Sequence, residues 1–168
     1  MTGALCEPKP VQRPHPPIWV GGSGERITLK LVAQYGDACN VFEDTSIVAH
    51  RMERLREHCK NVGRDYDAIT KTSLRHVVIS EDESAVGAIV AGDKEPGESD
   101  EELRSFTTYG TPDLVSEEIQ KYIESGIQYL IVNFDSRHEE EMMSLFADKV
   151  MLRFNKSQVK FRESVYVW

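Results

Sequence analysis

Pro17-Ile18-Trp19-Val20-Gly21-Gly22-Ser23-Gly24-Glu25-Arg26-Ile27-Thr28-Leu29-Lys30-Leu31-Val32 changes its periodicity halfway along. Ile18 to Val20 form a short apolar run behind a proline, which suits a buried strand. Ile27, Leu31 and Tyr35 then recur at helical spacing. Three glycines lie between the two patterns. A strand that passes through a glycine turn into a helix aims the unpaired N–H groups of the first helical turn at whatever sits above the strand end. That geometry suits a phosphate or another anion, because the N–H groups donate to it and the helix dipole favours negative charge. The plainer alternative is a tight strand-to-helix connection. The stretch lacks both the full dinucleotide fingerprint and the Lys-Ser/Thr of a P-loop.

Composition limits the partners. The chain has 168 residues, 40% hydrophobic and 29% charged, which fits one globular domain with a real core. No run of apolar residues is long enough for a membrane span, and the first residues lack the regions of a signal peptide. A formal net charge of -8 argues against general nucleic-acid binding, since a phosphate backbone would be repelled. Cys6, Cys39 and Cys59 form no Cys-x-x-Cys pair. They point to free thiols in a reducing cytoplasm and offer no readable metal site.

Residues 1–17 form a lead-in that holds five of the seven prolines; it runs extended rather than helical. A docking motif for a proline-recognition module is the competing reading. A helix is expected from Glu25 to Tyr35, stopped by a left-handed cap at Gly36. Asp37 to Phe42 reads as the second strand. Glu43 to Ser46 offer N-caps to a helix carrying Val48, Met52, Leu55, Cys59 and Val62 on one face, ended by Gly63. Ile69 to Ser80 is the third strand, with His76 beside its apolar centre. A lone histidine there is more often packed or solvated than catalytic, and His15, His50, His58 and His138 have no partner at useful spacing.

From Glu81 to Thr107 the pattern is acidic and mostly helical. It holds a short helix over Ala85–Ala91, a loop over Gly92–Glu98 and a capping box at Ser99 to Glu102. Thr111 and Pro112 start a further helix whose inner face is Val115, Ile119, Tyr122 and Ile123, closed by Gly126. Tyr129 to Phe134 is nearly continuous in apolar residues, as in a parallel strand covered on both faces. Glu139 to Val150 is the last helix, and the tail over 152–168 suggests at most a loose strand. The alternation is that of an α/β protein with a parallel sheet. Four strands leave two edges unpaired, and the apolar runs 18–20 and 129–134 do not look like edges. A complete eight-stranded barrel needs roughly 250 residues.

Four motifs in this order, over residues 8 to about 151, resemble the second half of the bacterial luciferase-like oxidoreductases. They are the Pro17–Gly24 stretch, Tyr35-Gly36-Asp37-Ala38-Cys39-Asn40, Gly110-Thr111-Pro112-Asp113 and Gly126-Ile127-Gln128-Tyr129-Leu130-Ile131. The resemblance implies that residues 18–151 supply strands five to eight of a (β/α)8 TIM barrel. It further implies FMN or a deazaflavin coenzyme (F420) at the C-terminal strand ends. Carried over residue by residue, Gly21, Gly22, Ser23 and Gly24 contact the coenzyme phosphate, Arg26 adds charge and Asn40 lines the site. Ala38 departs from the family's usual glycine, and Asp37 reads as structural. The usual acid and base groups belong to the absent first four strands, so no catalytic residue is assigned and the substrate is not legible. The expected partner is a second copy, giving a homodimer, or a complementing N-terminal half. The alternatives are a non-catalytic flavin-binding or dimerisation module and a small flavodoxin-like phosphate-ligand protein.

Overall fold

The computed structural model describes residue 5 and residues 7–94, 97–135 and 137–154. Residues 7–18 carry no regular element. The elements then follow as β1 (Trp19–Gly21), α1 (Thr28–Tyr35), β2 (Ala38–Val41), α2 (Thr45–Val62), β3 (Thr70–Ile79), α3 (Glu83–Asp93), α4 (Asp100–Phe106), β4 (Thr107–Gly110), α5 (Pro112–Glu124), β5 (Tyr129–Phe134) and α6 (Glu139–Lys149), with 3-10 turns at Tyr66–Ala68 and Met151–Arg153.

All strand pairings are parallel. β1 pairs with β2, and β2 with Thr70 to Ser73 of β3. β5 pairs with Thr72 to Val77 of β3, overlapping both halves of that strand. β4 pairs with His76 to Ile79. Because β5 occupies one edge of β3 throughout, β2 and β4 must share the opposite edge end to end. The sheet therefore has four strands in line, β1-β2-β3-β5, with β4 stacked beyond the C-terminal end of β2. Trp19 of β1 and Tyr129 of β5 meet edge to face with ring centroids 6.0 Å apart. On a flat sheet these strands would lie three spacings apart, roughly 14 Å, so the sheet is rolled. Trp19, Gly21, Ala38, Asn40, Thr72, His76 and Tyr129 share the concave face by register. This is the fold of half a (β/α)8 barrel.

The helices cover the convex face in two clusters. The first joins Leu29, Val32 and Ala33 of α1 with Cys39 and Val41 of β2 and Val48, Met52, Leu55 and Cys59 of α2. The second joins Val77, Val78 and Ile79 of β3 with Val86 of α3, Val115 and Ile119 of α5, and Met142 and Val150. No helix among the described residues is long and apolar enough to cross a membrane.

Local signals act as expected in several places. Asp44 caps α2, its carboxylate accepting the Ser46 N–H at 2.8 Å, and Gly63 ends the helix with φ 69°. Ser99 and Glu102 form a reciprocal capping box on α4. Other expectations are corrected. α1 begins at Thr28 rather than Glu25, because the Leu29 N–H reaches back five residues to the Gly24 carbonyl and makes a wider turn than an α-helix. Gly36 is not a left-handed cap. Its φ is -77°, and glycine is needed for space, since a Cβ would lie 3.1 Å from the Val32 backbone.

Residues 107–110 form a fifth strand where only four strands were expected and the chain up to Thr107 read as helical. Their one apolar side chain is Tyr109, and they extend because the C-terminal half of β3 outruns β2 and offers them an edge. β1 and β5 are the edges of the sheet, contrary to the apolar look of their sequences. Lys94 ends α3 as its C-cap, so the loop expected from Gly92 starts later. The strand suggested around Val159 to Trp168 lies outside the described residues.

Candidate functional site: the glycine turn above β1

β1 ends at Gly21, and the Gly22 N–H continues the pairing by donating to the Asn40 carbonyl at 2.9 Å. Gly22 then takes φ 115°, a conformation that L side chains rarely adopt. At Gly24 a Cβ would lie 2.9 Å from Thr28 Oγ1, so the chain passes too close to the start of α1 to carry a side chain. Gly21 is different: a Cβ there would find only ordinary contact with Phe42. The N-cap of α1, Ile27, supplies no side-chain hydrogen bond. Thus the turn folds over a helix N-terminus that has no capping side chain, with the Leu29 N–H held by the Gly24 carbonyl and the Thr28 hydroxyl beside it.

The sequence-assigned residues divide into two groups. Gly21, Gly22, Ser23, Gly24 and Arg26 lie in this turn; Ser23 is half-buried and Arg26 exposed. The Ser23 hydroxyl and the Arg26 guanidinium have no hydrogen-bond or ion-pair partner among the described residues. Asn40 sits on the concave face in register with Gly21 and Thr72. Its Oδ1 accepts the Thr72 hydroxyl at 2.7 Å, and that hydroxyl also lies 3.1 Å from the Cys39 carbonyl. Asp37 is structural: its Oδ2 accepts the Ile18 N–H at 2.8 Å and anchors the entry to β1. His76 lies exposed on the concave face in register with Asn133, and no acid or base partner meets it among the described residues.

Three features were missed from sequence. Thr28 belongs to the turn, and the only signal was a hydroxyl four residues after Gly24. His50 and His58, assigned no partner, both reach Glu25. His50 Nε2 lies 3.1 Å from Glu25 Oε1, and His58 Nε2 donates to the Glu25 carbonyl at 2.7 Å. Arg51 bonds the same Glu25 carboxylate and also reaches Glu43 at 3.3 Å, and Arg54 Nε lies 3.6 Å from Glu25 Oε2. His50, Arg51, Arg54 and His58 fall on one side of α2, so this row of side chains grips the turn through Glu25 and fixes its position against α2.

A second anchor lies beyond the end of β2. Arg75 is buried on β3 and donates to the carbonyls of Phe42, Arg104 and Ser105, tying the end of β2 to the last turn of α4 ahead of β4. Burial holds its pKa below the usual guanidinium value. Its neighbour Tyr122 donates its hydroxyl to the Glu43 carbonyl at 3.0 Å, and desolvation raises that phenol. The Cys39 and Cys59 thiols resist ionisation: burial pushes Cys39 up to about 12 and raises Cys59. Among the described residues no cluster of His, Cys, Asp and Glu could hold a metal ion.

Comparison with known proteins gives one family. The model for luciferase-like monooxygenases matches residues 2–95, a span that includes the glycine turn and the first three strands. Among solved structures, a coenzyme F420 dependent tetrahydromethanopterin reductase from Methanopyrus kandleri is 18% identical, with TM-score 0.66 over 83% of this chain and 51% of that one. An EDTA monooxygenase from Chelativorans sp. BNC1 is 14% identical, with TM-score 0.66 over 88% of this chain and 47% of that one. A riboflavin lyase solved with modified FMN and riboflavin is 13% identical, with TM-score 0.67 over 86% of this chain and 44% of that one. The chain thus spans about half the length of the structures it matches, and at these identities the likeness is one of fold. No curated protein sequence matches.

Proposed function

The chain belongs to the luciferase-like monooxygenase family, and on that premise we propose that it is the coenzyme-phosphate-binding half of a flavin- or F420-dependent oxidoreductase. The observation that carries the reading is the uncapped start of α1 beneath a turn where Gly22 has φ 115° and Gly24 has no room for a side chain. A dianionic phosphate fits that cradle, since it supplies the missing cap to the helix N–H groups. Gly21, Gly22 and Gly24 give it close approach, Ser23 and Thr28 offer hydroxyls, and Arg26 adds a charge. Asn40 presents an amide to the part of the ligand that lies over the concave face. The Glu25 grip keeps the cradle formed before the ligand arrives, which lowers the ordering cost of binding.

The ring of such a coenzyme supplies hydride transfer or oxygen activation, and the protein's task is to hold, orient and shield it. Trp19 and Tyr129 wall the lower concave face, and α3 closes on the ends of β3 and β4, where Val78 and Val86 share one cluster. The free buried thiols suit a reducing cytoplasm.

Titrating the chain with FMN and with riboflavin tests the phosphate reading, with F420 as a third arm. Fluorescence quenching that saturates for FMN or F420, is absent or at least about tenfold weaker for riboflavin, and is competed by inorganic phosphate supports it. Equal binding of FMN and riboflavin, or no binding of FMN and F420, refutes it. A second reading is a flavin-binding module without turnover. It is favoured by the strand positions on the concave face, where His76 is exposed and meets no partner among the described residues. Turnover by the bound chain with reduced coenzyme would exclude that alternative.

A further inference from the structure

α1 is apolar on two sides. Leu29, Val32 and Ala33 are buried against the sheet, whereas Ile27, Leu31 and Tyr35, spaced four apart, remain 72%, 44% and 62% exposed. An apolar stripe on each side of one helix belongs to a helix that is covered twice. The exposed Ile18 lies beside this end of the sheet, just ahead of β1. At the opposite end of the sheet Met143 of α6 is exposed, while Tyr129 of β5 lies on the concave face against Trp19. Among the described residues β1 pairs only with β2, and β5 only with β3, so each end also carries an unpaired row of backbone groups.

From these two ends we infer that the β1/α1 edge docks on the β5/α6 edge of a second copy of this chain, and that the same contact repeated about a twofold axis closes an eight-stranded barrel. Three observations select this occupant. All strands run parallel, so β5 of one copy and β1 of its partner pair in the direction the sheet already uses. The Trp19 to Tyr129 contact shows that the sheet is already rolled, and two sets of four in-line strands make the eight that close around a side-chain-filled interior. Charge also matches. α6 opens with Glu139, Glu140 and Glu141, while α1 is entered through the exposed Arg26 and Lys30, and both helices start at the C-terminal ends of their strands. The contact is head to tail and closes at two copies. The inference does not rest on the coenzyme reading, and it is tested without coenzyme.

Sedimentation velocity of the whole chain across a micromolar concentration series should show a dimer. L31E/Y35E breaks one end of the contact and M143K the other. Each variant alone should keep its far-UV circular dichroism and weaken the dimer by at least about tenfold. An equimolar mixture should restore it, because one of the two contacts is then wild type and the other sets Glu against Lys. A chain that stays monomeric, a dimer indifferent to both variants, a dimer lost in only one of them, or a mixture that fails to recover would overturn the proposal. Finding the edges filled by a different polypeptide would do the same.

Discussion

Gly24→Ala places a methyl group 2.9 Å from Thr28 Oγ1, closer than real Cβ contacts come, while the next atom it meets is Thr28 Cβ at 3.6 Å. Overpacking of this kind costs about 1–3 kcal/mol. Against it stands the reduced freedom of the unfolded chain, about 0.4–1 kcal/mol in favour of alanine. The net expectation in the wild-type background is a loss of up to about 2.6 kcal/mol. In a Thr28→Ala background the clashing hydroxyl is gone and only ordinary contact remains, so the same substitution should stabilise by about 0.4–1 kcal/mol. The sign therefore reverses, with a coupling of about 1–3 kcal/mol between the two positions. Urea unfolding of the four proteins measures this directly, provided the transition slopes stay equal. An equal cost in both backgrounds, or a gain in the wild type, would show that the turn does not close on Thr28. The reasoning behind the phosphate cradle would then fail at its base.

Arg75→Ala removes the donor to three carbonyls at the β2–β4 junction and should cost about 2–4 kcal/mol, with faster hydrogen exchange over residues 104–110; a variant as stable as wild type would show that the junction holds without it. Asp44→Ala should cost about 1 kcal/mol at neutral pH as a lost N-cap. The bond to Ser46 lowers the Asp44 pKa in the folded state, so this contribution is present above the ordinary aspartate range and fades as pH falls through the lowered folded value; a difference unchanged between pH 7 and pH 2 would contradict the assignment. Iodoacetamide at pH 8 should leave Cys39 and Cys59 of the folded chain unmodified, as peptide mass mapping would show, because both are buried and their thiols resist ionisation; labelling of Cys39 before unfolding would disprove the packing around β2.

Most of the fold could be read locally. The switch of periodicity at Gly21 to Gly24, the Asp44 and Gly63 ends of α2, the Ser99–Glu102 box and the Thr111-Pro112 start each depend on neighbours within a few residues. What escaped was decided at a distance. β4 is a strand only because β3 outlasts β2. α1 carries two overlapping stripes, and spacing alone favoured Ile27, Leu31 and Tyr35, whereas packing chose Leu29, Val32 and Ala33. The grip on Glu25 spans 25 residues to His50 and 33 to His58. A stripe of His50, Arg51, Arg54 and His58 on one helix face was visible, but nothing in the sequence said what it faced.

β3 has a consequence of its own. Thr70 to Ser73 lie against β2, whose Cys39 and Val41 belong to the first packed cluster, while Val77 to Ile79 belong to the second. β3 is thus shared by two apolar cores, and α5 joins them a second time, since Tyr122 lies in the first and Val115 and Ile119 in the second. The cradle above β1 rests on the first core, through Leu29, Val32 and Ala33 of α1. A strand and a helix common to both cores couple their unfolding, so the chain behaves as one cooperative unit and the cradle shares its stability.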